Sequence, residues 1–529
     1  MRWPAALIVT DCTFTANAAP WNATAGLDHL HYSSGGAIYV DRTTALVYYS
    51  LFRENTAAGH GGAIALVGDG RDTSYLRVQS SKFNENEGRL ASAVYVYRGD
   101  SYFKSNKVYE DRIPQTFALG FNATAYGCHN DEGRITRRLD VDPTWAALAS
   151  RSMDRYADIE ARSGIRFHDA VGCLAVGRAG GPYLAAVAAT AASRRLELEA
   201  LDEDQLRAKW PRLRLDCTLL QDFKVDGAPA SDEGEGPRPR YAALFESGAK
   251  TGAGVVSPRR LLLAQAALGA QAGVVHYDAA AEATAREGGL VAVRLSDGRA
   301  VKAETCLVCT NAFTNFKPLL PRRVALELTT QTVRRRAFAT DAAAAALGDM
   351  PAIIVKGGAA PYGTASAQFD SCYVLPPLDY GDGGLSIKVG HGAFFERALK
   401  DREAAATWYE DRYVEERLDS FARCELALVA KRAVRDAPAA VGDATDRCVI
   451  PKTPTSRPYV HKFDEALGCC VGCNGYAAKS SDELGRLAQR MMLGDVPPGD
   501  WDGADIPADA FDVVFADEPP VAGVAGLAV

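Results

Sequence analysis

The stretch "GRITRRLDVDPTWAALASRSMDRYADIEARSG" (residues 133–164) decides how the chain is read. Trp145, Leu148, Ala149, Ser152, Tyr156 and Ile159 recur at helical spacing, which predicts one long amphipathic helix. Before it, the chain reads as short strands separated by Gly-Gly turns. Two arginines, Arg134 and Arg137, stand at the change of texture. The sequence therefore divides into an all-β N-terminal part and an interleaved α/β remainder.

Bulk properties restrict the function classes. The chain has 529 residues, 47% hydrophobic and 24% charged, enough for several domains with ordinary cores. A net charge of -7 argues against a nucleic-acid partner. No apolar run is long enough for a membrane span, and the start lacks a basic-then-apolar leader. Twelve cysteines scattered over this length suit reduced thiols and an intracellular setting, cytoplasmic or organellar. "CCVGC" (469–473) has no partner motif to complete four zinc ligands, so packed thiols and no metal are expected.

The first hundred residues repeat. "CTFTAN" (12–17), "SLFREN" (50–55), "SKFNEN" (81–86) and "SYFKSN" (101–106) each place Asn three residues after Phe. Interleaved with them are "GGAIYV" (35–40), "GGAIAL" (61–66) and "ASAVYV" (91–96). Short repeated strands with stacked Phe and laddered Asn predict a solenoid. The pattern resembles a right-handed parallel β-helix of the pectin-lyase type over residues 1–112, which implies a scaffold or sugar-binding surface. It starts inside a rung, so the solenoid is expected to be partial.

Residues 113–132 read as a linker. Beyond them, Ser257 and Pro258 open a helix that Gly273 closes, and "SDG" (296–298) marks a hairpin turn. "CLVCTNAF" (306–313) reads as a buried apolar strand with ligand chemistry at its carboxyl end. "APASDEGEGPRPR" (228–240) reads as a charged loop. Ser480 and Glu483 have capping-box spacing ahead of the helical face Leu484, Leu487, Ala488, Met491 and Met492. Lys479 then sits at a helix N-terminus, where backbone N–H groups favour an anion.

Six ordered stretches carry a second resemblance: "RITR" (134–137), "KWP" (209–211), "GAGVVSPRRLLLA" (252–264), "LSIKVGHG" (385–392), "RCVIPKTP" (447–454) and "GCNGYAAKSS" (472–481). Together they resemble the FAD-dependent amine oxidases of the D-amino-acid-oxidase superfamily, in the monomeric sarcosine oxidase and N-methyl-amino-acid oxidase branch. The resemblance implies an FAD-dependent oxidoreductase domain over 133–498, with an inserted mixed-sheet α+β substrate domain and a tail at 499–529. It implies FAD as cofactor, with Cys448 tethering the flavin, against the alternative of an unattached buried cysteine. Arg134, Asn474, Gly475, Tyr476 and Lys479 would border the cofactor. Arg137 and Lys479 would clamp a substrate carboxylate, with Tyr373 and His391 beside the substrate. Lys388 would promote reaction with dioxygen. The implied activity is oxidation of a secondary or N-methyl amino acid, with hydride passing to FAD and dioxygen becoming hydrogen peroxide.

One departure matters. The arginine pair should follow a strand, a G-x-G-x-x-G turn and a helix that cradle the FAD phosphates. The sequence has repeats there instead, so the expected α/β fold lacks its first βαβ unit and exposes a sheet edge. Two rivals follow: a flavoenzyme remnant without activity, and a β-helix binding or adhesion protein with a structural C-terminal half.

Overall fold

A computed structural model describes strand segments between residues 6 and 119. It also describes residues 131–517, except 217–239, 273–279, 357–370, 381–383, 393–395, 411–419, 496–498 and 504. The loop expected at 228–240 lies almost wholly outside the described residues. The chain divides into two compact units: Met1–Ala125 with Ala161–Ile165 and Arg259–Ala279, and Tyr126–Glu160 with Arg166–Pro258 and Ala280–Val529. No helix among the described residues is long and apolar enough to cross a membrane.

Among the described residues of the first unit every strand pairing is parallel, and the sequence repeats set the register. Phe14, Phe52 and Phe83 align across three strands. Phe14 and Phe52 stack with ring centroids 4.9 Å apart, and Phe52 is fully buried. Asn17 Nδ2 donates to Asn55 Oδ1 at 2.8 Å, so the asparagines ladder as the repeats predict. Ile38, Ile64 and Val94 align in a second stack. The fourth repeat differs from the expectation. Phe103 aligns with Val78 in another stack, and Val108 takes the place beside Phe83. A Phe-x-x-Asn match by itself does not fix which stack a strand joins.

Among the described residues the second unit is built on a nine-stranded mixed sheet. Its order is Glu199–Asp202, Tyr241–Glu246, Cys173–Arg178, Ala352–Lys356, Ser371–Asp379, Leu385–His391, Glu327–Phe338 and Ala398–Leu399, with Ala440–Lys452 also paired to Glu327–Phe338. One face packs a core of Leu174, Val176, Phe338, Ile387, Val389, Leu426 and Val429. The helix of the opening stretch runs Pro143–Ser163, and Trp145, Leu148, Ala149, Ser152, Tyr156 and Ile159 are all buried. Asp142 Oδ1 starts it by accepting the Thr144 N–H at 2.7 Å. Its apolar stripe meets Leu484, Leu487 and Met491 of helix Ser481–Leu493.

Three expectations change here. The apolar run 306–313 is strand only over Cys306–Val308, because Asn311 takes φ 47° and Asn311–Phe316 turns into a 3-10 helix. That strand lies parallel to Leu467–Val471 and forms the edge of a three-stranded sheet among the described residues. The stretch 499–517 is not a tail: Trp501, Ile506, Ala510 and Phe511 are buried against Trp145 and Met491. The capping box is not formed. Ser480 has a non-extended backbone and makes no cap bond, while Glu483 is bound by Arg151, Arg155 and Arg486. Three guanidiniums outcompete one backbone N–H for a buried carboxylate.

Candidate active site

Side chains alternate between the two faces of a strand, so the register decides which residues meet. Lys388 lies opposite Leu375 on one side and Arg335 on the other, and Gly390 lies opposite Tyr373 and Val333. Gln331 lies opposite Cys448, an even number of residues from Arg335. Tyr373, Lys388, Arg335 and Cys448 therefore share one face of the sheet. Gly390 has a packing reason: a Cβ there would stand 2.1 Å from the Tyr373 ring. The Lys388 ammonium sits 5.8 Å from the centre of that ring.

His391 does not join this group. One residue beyond Gly390, it faces the other side of the sheet, where Nε2 accepts the Thr332 N–H at 3.2 Å and Nδ1–H donates to the Gly392 carbonyl at 2.6 Å. Burial lowers its pKa to about 4, so the ring stays neutral. It is a structural imidazole joining neighbouring strands.

The Lys388 side chain is fully buried, and its ammonium binds Asp131 and donates to the Gly133 carbonyl at 2.8 Å. Asp131 is a hub that the sequence reading left inside a linker. One of its oxygens binds Arg134 and Lys388; the other accepts the Tyr380 hydroxyl at 2.8 Å and the Gly133 N–H at 3.1 Å. Burial pushes the Lys388 ammonium well below the usual lysine range, and Arg134 adds to that. Cys448 and Asp446 oppose that shift. Cys448 is a buried cysteine whose carbonyl accepts the Trp408 indole N–H at 3.3 Å.

Arg137 and Lys479 converge on a carboxylate of the chain itself. Asp140 Oδ2 lies 3.0 Å from Arg137 Nη2 and 3.8 Å from Lys479 Nζ, with the Asp140 and Lys479 side chains 2% exposed. Burial alone would raise the Asp140 carboxyl; Arg137 and Lys479 outweigh it and keep the group ionised. Burial and then Arg137 lower Lys479 to about 7, with Asp140 opposing. Trp145 and Tyr476 rings lie 5.5 Å and 5.2 Å from that ammonium. Burial pushes the nearby Cys173 thiol up to about 12.

The loop before Lys479 is a turn over residues 474–476. Asn474 takes φ 51° and Gly475 φ 78°. Asn474 Nδ2 donates to Gly472 O at 2.6 Å, and its Oδ1 accepts the Thr453 N–H at 2.8 Å. The turn is thus tied to the end of the Cys448 strand.

The sequence matches the family "FAD dependent oxidoreductase" (DAO) over residues 120–491. The chain belongs to that family. A comparison with curated proteins finds no match. Among solved structures, this FAD-dependent oxidoreductase is similar to NikD, an unusual amino acid oxidase essential for nikkomycin biosynthesis. Identity is 15% and the TM-score 0.50, over 76% of this chain and 88% of that one. It is also similar to glycine oxidase from Geobacillus kaustophilus, at 14% identity and TM-score 0.49 over 76% and 88% of the two chains. At 15% identity the likeness to NikD is one of fold.

The donor set suits the ring end of FAD. A buried thiol and two buried or half-buried cations, Lys388 and Arg134, occupy one region, and Arg137 Nε and Ser480 Oγ are buried without hydrogen-bond partners. Among the described residues there is no G-x-G-x-x-G turn between a strand and a helix to receive the phosphates.

Proposed function

We propose that this FAD-dependent oxidoreductase oxidises the carbon–nitrogen bond of a small amine-bearing acid, a secondary or N-methyl amino acid of the sarcosine type, with dioxygen as final acceptor and hydrogen peroxide as product. The observation that supports this most is the placement of Tyr373, Lys388 and Cys448 on one sheet face, with Arg134 and Asp131 against Lys388.

Bound FAD supplies the two-electron redox chemistry. The protein supplies the rest. Cys448 is the candidate tether and Arg134 the cation beside the ring. Lys388, held by Asp131, offers positive charge to dioxygen as it gains electrons, a preorganised electrostatic effect. Tyr373 walls the substrate side. Arg137 and Lys479 orient the substrate through its carboxylate, and Arg137 Nε is a donor left for that purpose. Asn474, Gly475 and Tyr476 shape the turn that delivers Lys479. The N-terminal parallel stacks we read as a partial β-helix over residues 1–112, a scaffold or binding surface joined to the 133–498 enzyme domain.

Incubating the purified chain with FAD, removing excess and recording a visible spectrum tests this reading. Retained flavin absorbance bleached by N-methylglycine without oxygen supports it; a flavin spectrum that no amine or amino acid bleaches refutes the proposed chemistry.

A further inference from the structure

We propose that Cys309 and Cys470 are an oxidisable dithiol, a modification site that hydrogen peroxide converts to a disulfide. The pairing of strands places them together. Cys306–Val308 runs parallel to Leu467–Val471 in the register Cys306↔Leu467, Leu307↔Gly468, Val308↔Cys469. One step further, Cys309 falls beside Cys470. Adjacent strands lie about 4.8 Å apart, and disulfides span Cα separations of about 4.4–6.8 Å, so closure needs little backbone movement.

Interaction with the Cys470 side chain and backbone holds the Cys309 thiol below the usual cysteine range, and interaction with Cys309 followed by burial pushes the Cys470 thiol up. The thiolate is the nucleophile in thiol chemistry, so the pair is asymmetric: one sulfur attacks and the other resolves. Access has the same asymmetry, with Cys309 exposed and Cys470 half-buried. The neighbouring Cys469 is buried and pushed up to about 12, which leaves it inert.

The chemistry balances with one peroxide. Cys309 thiolate attacks a peroxide oxygen, the O–O bond breaks, and the departing hydroxide takes a proton to become water. The resulting Cys309 sulfenic acid is displaced at sulfur by the Cys470 thiol, releasing a second water and forming the S–S bond. Two thiols lose two electrons, and the peroxide gains them. The cross-link would join the ends of the strands from which Asn311 and the Gly472 turn depart, a junction already bridged by the Cys473 N–H donating to Asn311 Oδ1 at 3.2 Å.

The inference does not require the oxidase reading, since peroxide is added as a reagent. The full chain is treated with a small excess of hydrogen peroxide, alkylated, and examined by intact mass and peptide mapping. The expected result is loss of two alkylatable thiols and the mass of two hydrogens, a Cys309–Cys470 linked peptide, and full reversal by a dithiol reductant. Cys470→Ser should stop at a sulfenic acid on Cys309 that a sulfenate-specific probe traps, and Cys309→Ser should abolish both products. Retention of both free thiols, or a linkage between other cysteines, overturns the proposal.

Discussion

Replacing Asp140 by Asn removes one charge from the Arg137–Lys479 pair and keeps its shape. The Lys479–Asp140 separation is 3.8 Å. At an effective dielectric of about 20, a pair at that distance is worth about 4 kcal/mol, or about 3 pKa units, as a ceiling. Lys479 titrates at about 7 with Asp140 present, charged below that value and neutral above it. Without Asp140 its pKa falls, and the free site keeps the Arg137 charge alone. A ligand carboxylate that reaches Arg137 then supplies the missing negative charge and returns a proton to Lys479. Arg137 regains a charge-assisted bond of about 1.5–3 kcal/mol, so Asp140→Asn should bind N-methylglycine or acetate about tenfold or more tighter near pH 6. The advantage should shrink as pH rises, because the ammonium must be recharged at increasing cost. Calorimetry in buffers of different ionisation enthalpy reads both affinity and proton uptake. Equal affinities of variant and parent near pH 6, with no proton uptake by the variant, would refute the assignment of these cations to a carboxylate.

Three further outcomes follow from the geometry. Lys388→Met should slow reoxidation of the reduced enzyme by dioxygen about a hundredfold while leaving reduction by substrate within a fewfold, as expected for a single preorganised charge; stopped-flow measurements showing equal slowing of both steps would remove Lys388 from that role. Cys448→Ala should release flavin that the parent chain retains through acid precipitation, and flavin released equally by both would make Cys448 an unattached buried thiol. Gly390→Ala forces a Cβ to 2.1 Å from the Tyr373 ring, so denaturant unfolding should show about 1–3 kcal/mol of lost stability, and unchanged stability would place that ring elsewhere.

Periodicity and register explain what was legible. The helix Pro143–Ser163 was readable because six buried positions fall on one helical stripe. The alignment of Phe14, Phe52 and Phe83 was readable because the repeats are strict, and Phe103 was misplaced because the same short pattern occurs in two stacks. Lys388, Cys448 and Tyr373 were flagged by resemblance, and the sheet brings them to one face. His391 sits one residue out of phase, and strand alternation sends it to the opposite face. Asp131 and Asp140 were missed for a common reason. Each is a single acid outside the helices and strands, without periodic signal, and its importance arises only when distant strands and a distant loop deliver Lys388 and Lys479 to it. Ser480 and Glu483 had the right spacing for a capping box, but spacing could not show three arginines arriving from elsewhere.

The central claim is that the chain holds FAD although the expected phosphate-cradling turn is absent from its sequence. Titration calorimetry of the folded full-length chain with FAD tests it most directly. The account predicts saturable binding of a single FAD per chain, with the bound flavin visible in the absorbance spectrum. Absence of both heat and bound flavin, in a chain whose circular dichroism shows it folded, would contradict it.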